Sequence, residues 1–170
     1  MFTLVTGGSG SGKSEYAERI ADSWNGPKIY IATMMPFDEE TGEKIKRHRE
    51  MRRDKGFFTA ECFTGLSKLD LPEGCCVLLD CMSNLAANEM YEEGGAGKET
   101  VREIVSGVEK LLSAAEHVCI VTNEIFSDGM EYDPETLCYQ QYLGTLNCRM
   151  AAMADRVVEV VCGIPLRQKG

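Results

Sequence analysis

The sequence predicts an α/β protein: a mostly parallel sheet with helices on both faces. Three observations carry this. Its apolar residues fall into two kinds of segment, short continuous runs and longer stretches with apolar side chains three and four apart, and the two kinds alternate along the chain. The short runs lack polar alternation, as expected of strands buried on both faces of a parallel sheet. The first run also ends in Gly7-Gly8-Ser9-Gly10-Ser11-Gly12-Lys13-Ser14, which satisfies the phosphate-loop pattern G-x-x-x-x-G-K-[ST]. The expected fold is therefore P-loop NTPase-like, as one nucleotide-binding domain over residues 1–170.

Taken in order, residues 2–6 form a buried first strand that stops at Gly7-Gly8. Residues 13–23 turn helical, with Tyr16, Ala17, Ile20 and Ala21 on one face, and Asn25-Gly26-Pro27 ends that helix. A second strand covers 28–33. The highly charged stretch 38–55 reads as helix, and 57–62 as a short strand. Leu71-Pro72-Glu73-Gly74 is a turn, and 75–80 is a buried strand ending in an acid. Helices follow at 83–91 and 99–115, the second with Val101, Ile104, Val105, Val108, Leu111 and Leu112 at helical spacing. Residues 118–122 are a strand, 134–154 a long helix and 156–162 a final strand. Loops are expected at 92–97 and 127–133.

The glycine-rich loop has a physical purpose. Glycines let successive N–H groups turn inward toward phosphate oxygens. The helix that opens at the end of the loop aims its N-terminal dipole at the same anion. Lys13 then reaches the β- and γ-phosphates of ATP or GTP, and Ser14 gives its hydroxyl to Mg²⁺. Such a loop also needs an acid at the end of a neighbouring strand, holding Mg²⁺ through water, and Asp80 fits. Asp80 can equally be the N-cap of the helix after it, and the two roles are compatible.

Composition narrows the function. A formal net charge of −9 disfavours nonspecific binding to nucleic acid or an anionic membrane. No apolar run is long enough to cross a bilayer, and the N-terminus has neither the basic nor the apolar region of a signal peptide, so a cytoplasmic protein is expected. The 8 cysteines form no C-x-x-C pair and mostly sit among apolar neighbours. They read as small buried hydrophobes of a reducing compartment rather than as zinc ligands.

Residues 44–55 are a basic island in this acidic chain. On a helix, Lys44, His48 and Arg52 share one broad face. Cations crowded round an imidazole disfavour its protonated form. A neutral His48 could attack an α-phosphate and carry a nucleotidyl group as a phosphoramidate, while the cations hold the phosphates. The competing reading is a solvated helix face with an incidental histidine. His117, which precedes an apolar run, reads as structural.

Several motifs in this order resemble one family: the Val-Thr-Gly-Gly start with its phosphate loop, Tyr30-Ile31-Ala32-Thr33, His48-Arg49, Thr59-Ala60-Glu61-Cys62, Leu78-Leu79-Asp80-Cys81 with Asn88, Val121-Thr122-Asn123-Glu124, and Ala151-Ala152-Met153-Ala154-Asp155. It is the bifunctional adenosylcobinamide kinase / adenosylcobinamide-phosphate guanylyltransferase family of cobalamin synthesis. The resemblance implies two reactions. A nucleoside triphosphate, ATP or GTP, phosphorylates the aminopropanol hydroxyl of the corrinoid, adenosylcobinamide. GTP then guanylylates a histidine, which passes GMP to the corrinoid phosphate. His48 matches that histidine. Gly7, Gly8, Ser9, Gly10, Ser11, Gly12, Lys13 and Ser14 match the phosphate loop. Ala32, Thr33, Met34, Arg49, Glu61 and Asp80 fall where the family lines its nucleotide site. A homotrimer is also implied.

The chain departs from the family pattern in places. Asp54 follows Arg53 where the family has Pro after Arg, and Phe57-Phe58 stand in its aromatic region. Ile125-Phe126-Ser127-Asp128-Gly129 replaces a Val-Gly-x-Gly loop. Leu137-Cys138-Tyr139-Gln140-Gln141 replaces an Arg-x-Phe-Arg-Asp run, while Gly144 and Asn147 remain. These changes bear on corrinoid contacts and subunit packing. They leave two alternatives to the bifunctional enzyme: a single-activity kinase of the same family, or a nucleotide-binding protein without turnover.

Overall fold

The computed structural model describes residues 1–36, 42, 46 and 55–170. Seven strands form one sheet in the order β3-β2-β4-β5-β1-β6-β7. They are β1 (Phe2–Thr6), β2 (Lys28–Ala32), β3 (Phe57–Glu61), β4 (Cys76–Asp80), β5 (His117–Val121), β6 (Arg156–Val161) and β7 (Ile164–Lys169). The first six pair in parallel, and β7 runs antiparallel to β6. Between them lie α1 (Lys13–Asp22), α2 (Met82–Tyr91), α3 (Thr100–Ala114) and α4 (Pro134–Met153). Gly42 and Lys46 are helical. The rest of the expected helix 38–55 lies outside the described residues.

Alternation along each strand divides the core in two. Phe2, Leu4, Ile29, Ile31, Val77, Leu79, Val118 and Ile120 face α2, α3 and α4. Val5, Tyr30, Leu78, Cys119, Val121 and Val160 face α1, whose small Ala17 and Ala21 are wholly buried against them. Each fully buried Leu or Ile contributes roughly 1.5–3 kcal/mol. Surface pairs such as Lys110–Asp70, whose carboxylate is fully exposed, are screened by water and contribute little. Apolar burial therefore dominates the stability. Five cysteines belong to this interior, Cys62, Cys75, Cys76, Cys81 and Cys119. Burial pushes the thiols of Cys62 and Cys76 up to about 11, which keeps them protonated.

The sequence reading missed β7. Residues 156–162 were expected to be the last strand, but Cys162 and Gly163 form a two-residue turn with φ 50° and 79°. Val161 pairs with Ile164 across it. Positive φ at both central residues is the type I′ geometry that matches strand twist. Its signal was Gly163 directly after an apolar run. Every residue of β7 is exposed, so burial patterning could not mark the strand.

The long helix α4 starts as its residues dictate. Asp133 is the N-cap, its Oδ1 accepting the N–H groups of Glu135 at 2.9 Å and Thr136 at 3.0 Å, with Pro134 at the first turn. Asp80, by contrast, is not the cap of α2. The N-cap is Cys81, in an extended conformation and without a side-chain cap bond.

Candidate nucleotide-binding site

The site lies at the carboxyl ends of the parallel strands, where β1 turns into α1. This is the edge at which open α/β sheets bind their ligands. Four bonds shape the phosphate loop. Ser11 N–H donates to Gly8 O at 3.2 Å, Glu124 N–H to Gly7 O at 3.0 Å, Gly163 N–H to Ser11 O at 2.8 Å, and Tyr16 N–H to Gly12 O at 3.0 Å. Gly7 admits no side chain, since a Cβ there would stand 2.5 Å from Val160 O and 2.6 Å from Ser11 Oγ. The loop is thus seated on β6, on the turn after it, and on the segment after β5.

Lys13 opens α1 and is buried, and its Nζ donates to Gly8 O at 2.9 Å. The ammonium therefore lies over the loop that cradles phosphate. Ser14 follows it, half-buried in the same first turn. Asp80 ends β4, which is separated from β1 by β5. Two strand spacings place it about 9.6 Å from β1. That separation suits an acid that reaches a phosphate-bound cation through water. Tyr30 donates its hydroxyl to Asp80 Oδ2 at 3.2 Å and fixes the carboxylate's orientation. A hydroxyl and a carboxylate are hard oxygen donors of the kind Mg²⁺ takes alongside nucleotide phosphates. Among the described residues, no group of three His, Cys, Asp or Glu side chains could hold a metal by itself.

Ala32, Thr33 and Met34 leave β2 beside Asp80. Ala32 is in register with both Asp80 and Glu61. Met34 is exposed, and so is Glu61 at the end of β3. Thr33 is fully buried. Its hydroxyl donates to Cys81 O at 2.9 Å and accepts from Cys81 N–H at 2.9 Å, while Thr33 O accepts from Asn88 Nδ2 at 2.8 Å. Its side chain therefore braces the backbone just past Asp80. His48 and Arg49 lie outside the described residues.

One group of residues was not singled out chemically in the sequence. Asn123, just past β5, donates from Nδ2 to Ser83 Oγ at 2.6 Å. Ser83 Oγ also lies 3.0 Å from Cys81 Sγ, and Ser83 O accepts the Tyr139 hydroxyl at 3.1 Å. Burial pushes the Tyr139 phenol up to about 12, so it stays a donor. Only the position of Asn123 past a strand end could have signalled this network. Nothing local marks Ser83 or Tyr139.

Beside the phosphate loop a cleft of about 420 Å³ opens, lined by Ser9, Asn123, Glu124, Asp128, Tyr139 and Gln140 among others. Asp128 shapes its outer loop by accepting the Tyr132 hydroxyl and, at 3.1 Å, Met130 N–H. The bond from Tyr132, then that from Met130, holds the carboxyl below its ordinary range. Gln140 Nε2 donates to Ile125 O at 3.2 Å. Several departures from the family pattern thus form part of the cleft wall, Ile125, Ser127, Asp128, Tyr139 and Gln140, while Leu137 and Gln141 are exposed. No helix among the described residues is long and apolar enough to cross a membrane.

Comparison with known proteins agrees with this geometry. The family described as Cobinamide kinase / cobinamide phosphate guanyltransferase matches residues 3–168. The bifunctional adenosylcobalamin biosynthesis protein CobU of Salmonella typhimurium strain LT2 is 33% identical, over 99% of this chain and 100% of its own length. Its Escherichia coli K12 counterpart is 32% identical with the same coverage. The bifunctional adenosylcobalamin biosynthesis protein CobP of Pseudomonas aeruginosa PAO1 is 29% identical, over 100% of this chain and 98% of its own. Among solved structures, an ATPase from the type III secretion system of pathogenic bacteria superposes with a TM-score of 0.53 at 12% identity, covering 93% of this chain and 51% of that one. A KaiC-like protein, PH0186 from Pyrococcus horikoshii OT3, gives 0.50 at 13%, covering 93% and 71%. These two likenesses speak for the P-loop fold alone.

Proposed function

The chain belongs to the cobinamide kinase / cobinamide phosphate guanyltransferase family, and we infer that it carries out both reactions named there on one phosphate loop. It is a bifunctional enzyme of cobalamin biosynthesis. It phosphorylates the aminopropanol hydroxyl of adenosylcobinamide with ATP or GTP, then transfers GMP from GTP to the resulting phosphate. The observation that carries this reading is the intact phosphate loop, with Lys13 over it and an open cleft at its side, in a chain matched along its whole length.

In the first reaction Gly7 to Ser14 position the triphosphate and Lys13 neutralises charge on the β- and γ-phosphates. Ser14 and Asp80 would hold Mg²⁺, which when bound would neutralise further charge on the same oxygens. Positioning and charge stabilisation dominate phosphoryl transfer, so one loop can serve both steps. In the second reaction His48 is the nucleophile. Its nitrogen attacks the α-phosphate, pyrophosphate leaves, and the corrinoid phosphate then takes GMP from the phosphoramidate. Arg49, with Ala32, Met34 and Glu61, lines the nucleotide, and Thr33 holds that wall in place.

A cytoplasmic homotrimer completes the proposal. Exposed apolar side chains on β7, Ile164 at 61% and Leu166 at 45%, support association.

Incubation with GTP labelled at the α-phosphate tests the second reaction directly. Acid-labile, base-stable label on the wild type and none on His48→Ala is the expected result. Unlabelled wild type that still binds GTP would remove the guanylyltransferase half and leave the kinase.

A further inference from the structure

Resting on the reading that Ser14 and Asp80 hold Mg²⁺, we propose that Tyr30 is a positioning residue that makes the site select Mg²⁺ over Ca²⁺. Tyr30 lies in the middle of β2, in register with Leu78 of β4. Alternate residues of a strand share a face, so Asp80, two residues past Leu78, stands on the same side of the sheet as Tyr30. That side is packed by α1, which carries Ser14 in its first turn. The two residues read as metal-holding thus share one face of the sheet, and Tyr30 reaches Asp80 from the neighbouring strand.

The tyrosine is held in one place. It is buried and meets Phe57 edge-on, with ring centroids 6.5 Å apart and planes at 88°. Its hydroxyl donates to Asp80 Oδ2 at 3.2 Å. The backbone that follows Asp80 is held as firmly. Thr33 Oγ1 donates to Cys81 O and accepts Cys81 N–H, each at 2.9 Å, and buried Asn88 donates from Nδ2 to Thr33 O at 2.8 Å. Strand β2 and the residue after it therefore fix Asp80 twice, at its carboxylate and at the backbone beyond it.

This double hold matters because the two cations ask different things of a carboxylate. Mg²⁺ keeps several of its waters beside nucleotide phosphates, so an acid that reaches it through water from a fixed place serves it. Ca²⁺ takes more oxygen ligands, commonly both oxygens of one carboxylate. To offer both oxygens to a cation, Asp80 would have to share Oδ2 with the phenol proton or turn away from it. Turning breaks a bond from a buried phenol, which costs free energy. The braced Cys81 backbone also keeps the carboxylate from moving toward the cation as a whole. Tyr30 thus acts through Asp80, by holding it in the arrangement that suits the smaller, more strongly hydrated ion.

The test is GTP affinity by titration calorimetry in Mg²⁺, in Ca²⁺ and in EDTA, on wild type, Tyr30→Phe and Asp80→Asn. Tyr30→Phe removes only the hydroxyl and keeps the ring with its contact to Phe57. Wild type should bind most tightly in Mg²⁺, and Asp80→Asn should lose that advantage. Tyr30→Phe should narrow the preference for Mg²⁺ over Ca²⁺ by about tenfold, the scale on which groups that orient a metal ligand act, while metal-free affinity stays within about twofold. Equal preference in wild type and Tyr30→Phe overturns the role of Tyr30 alone. So does a loss of the same size in Mg²⁺, Ca²⁺ and EDTA, which is what a merely structural tyrosine would give. A Mg²⁺ advantage missing from wild type, or kept by Asp80→Asn, overturns the metal reading and the selectivity with it.

Discussion

The backbone N–H of Gly163 donates to the carbonyl oxygen of Ser11 at 2.8 Å, so the turn of the C-terminal hairpin holds the phosphate loop from outside the sheet. The loop is usually described through its own glycines. Here part of its shape comes from a residue about 150 positions later in sequence.

Gly163→Pro tests that clamp. Proline removes a donor worth about 0.5–1.5 kcal/mol and cannot take the φ of 79° found there. GTP affinity should fall by about tenfold and Tm by a few degrees, on the order of 2–4 °C per kcal/mol for a chain of this size. Titration calorimetry and a thermal melt check it. Unchanged GTP affinity would mean that the loop keeps its shape without the hairpin.

Lys13→Ala should reduce both reactions. Loss of one preorganised charge partner costs about 10²–10³-fold in rate. If one loop serves both steps, cobinamide phosphorylation and α-phosphate labelling decline together. A variant that loses only the kinase would show that the guanylyl donor sits elsewhere.

Glu89 makes a separate, structural prediction. Buried on α2, it accepts Gly65 N–H at 2.6 Å through one oxygen and Ala96 N–H at 2.9 Å through the other. Glu89→Ala leaves two backbone donors without their acceptor, at about 1–3 kcal/mol each. Urea unfolding should show a loss of about 2–5 kcal/mol. Glu89→Gln, which keeps one acceptor oxygen, should lose less.

His117 gives the fold a pH dependence. It is buried at the start of β5, 3.3 Å from Thr3 Oγ1 and edge-on to Trp24. Burial first, and then the N-terminal ammonium and Arg156, lower its pKa from the ordinary 6.5. Between that lowered value and 6.5 the unfolded chain binds more protons than the folded one. Stability therefore rises with pH across this window, and the contribution is lost as pH falls below 6.5. Urea midpoints from pH 7.5 down to 5.5 should decline more steeply for wild type than for His117→Gln. Parallel slopes would exclude His117 as the cause.

Much of the fold was legible because the parallel strands announce themselves. Val77, Leu78 and Leu79 are apolar at successive positions because both faces of β4 are covered, and that pattern survives in sequence. The Asp133-Pro134 start of α4 and the phosphate loop are local chemistry, read over a few residues. Strand β7 was not legible, because exposed Ile164 to Lys169 bury nothing and so carry no period.

The sequence alone determined the strand–loop–helix that cradles phosphate, the acid at the end of β4, and the family to which the ordered motifs belong. Each is written in neighbouring residues, where spacing along the chain is also spacing in the molecule. Only the tertiary structure decided that Thr33 is a brace with its hydroxyl spent on Cys81, that Ser83 orients Asn123, and that Tyr139 and Gln140 wall a cleft next to Ser9. Those relationships join residues tens of positions apart. They exist because the parallel sheet gathers the carboxyl ends of β1, β2, β4 and β5 along one edge, an adjacency that local spacing does not encode.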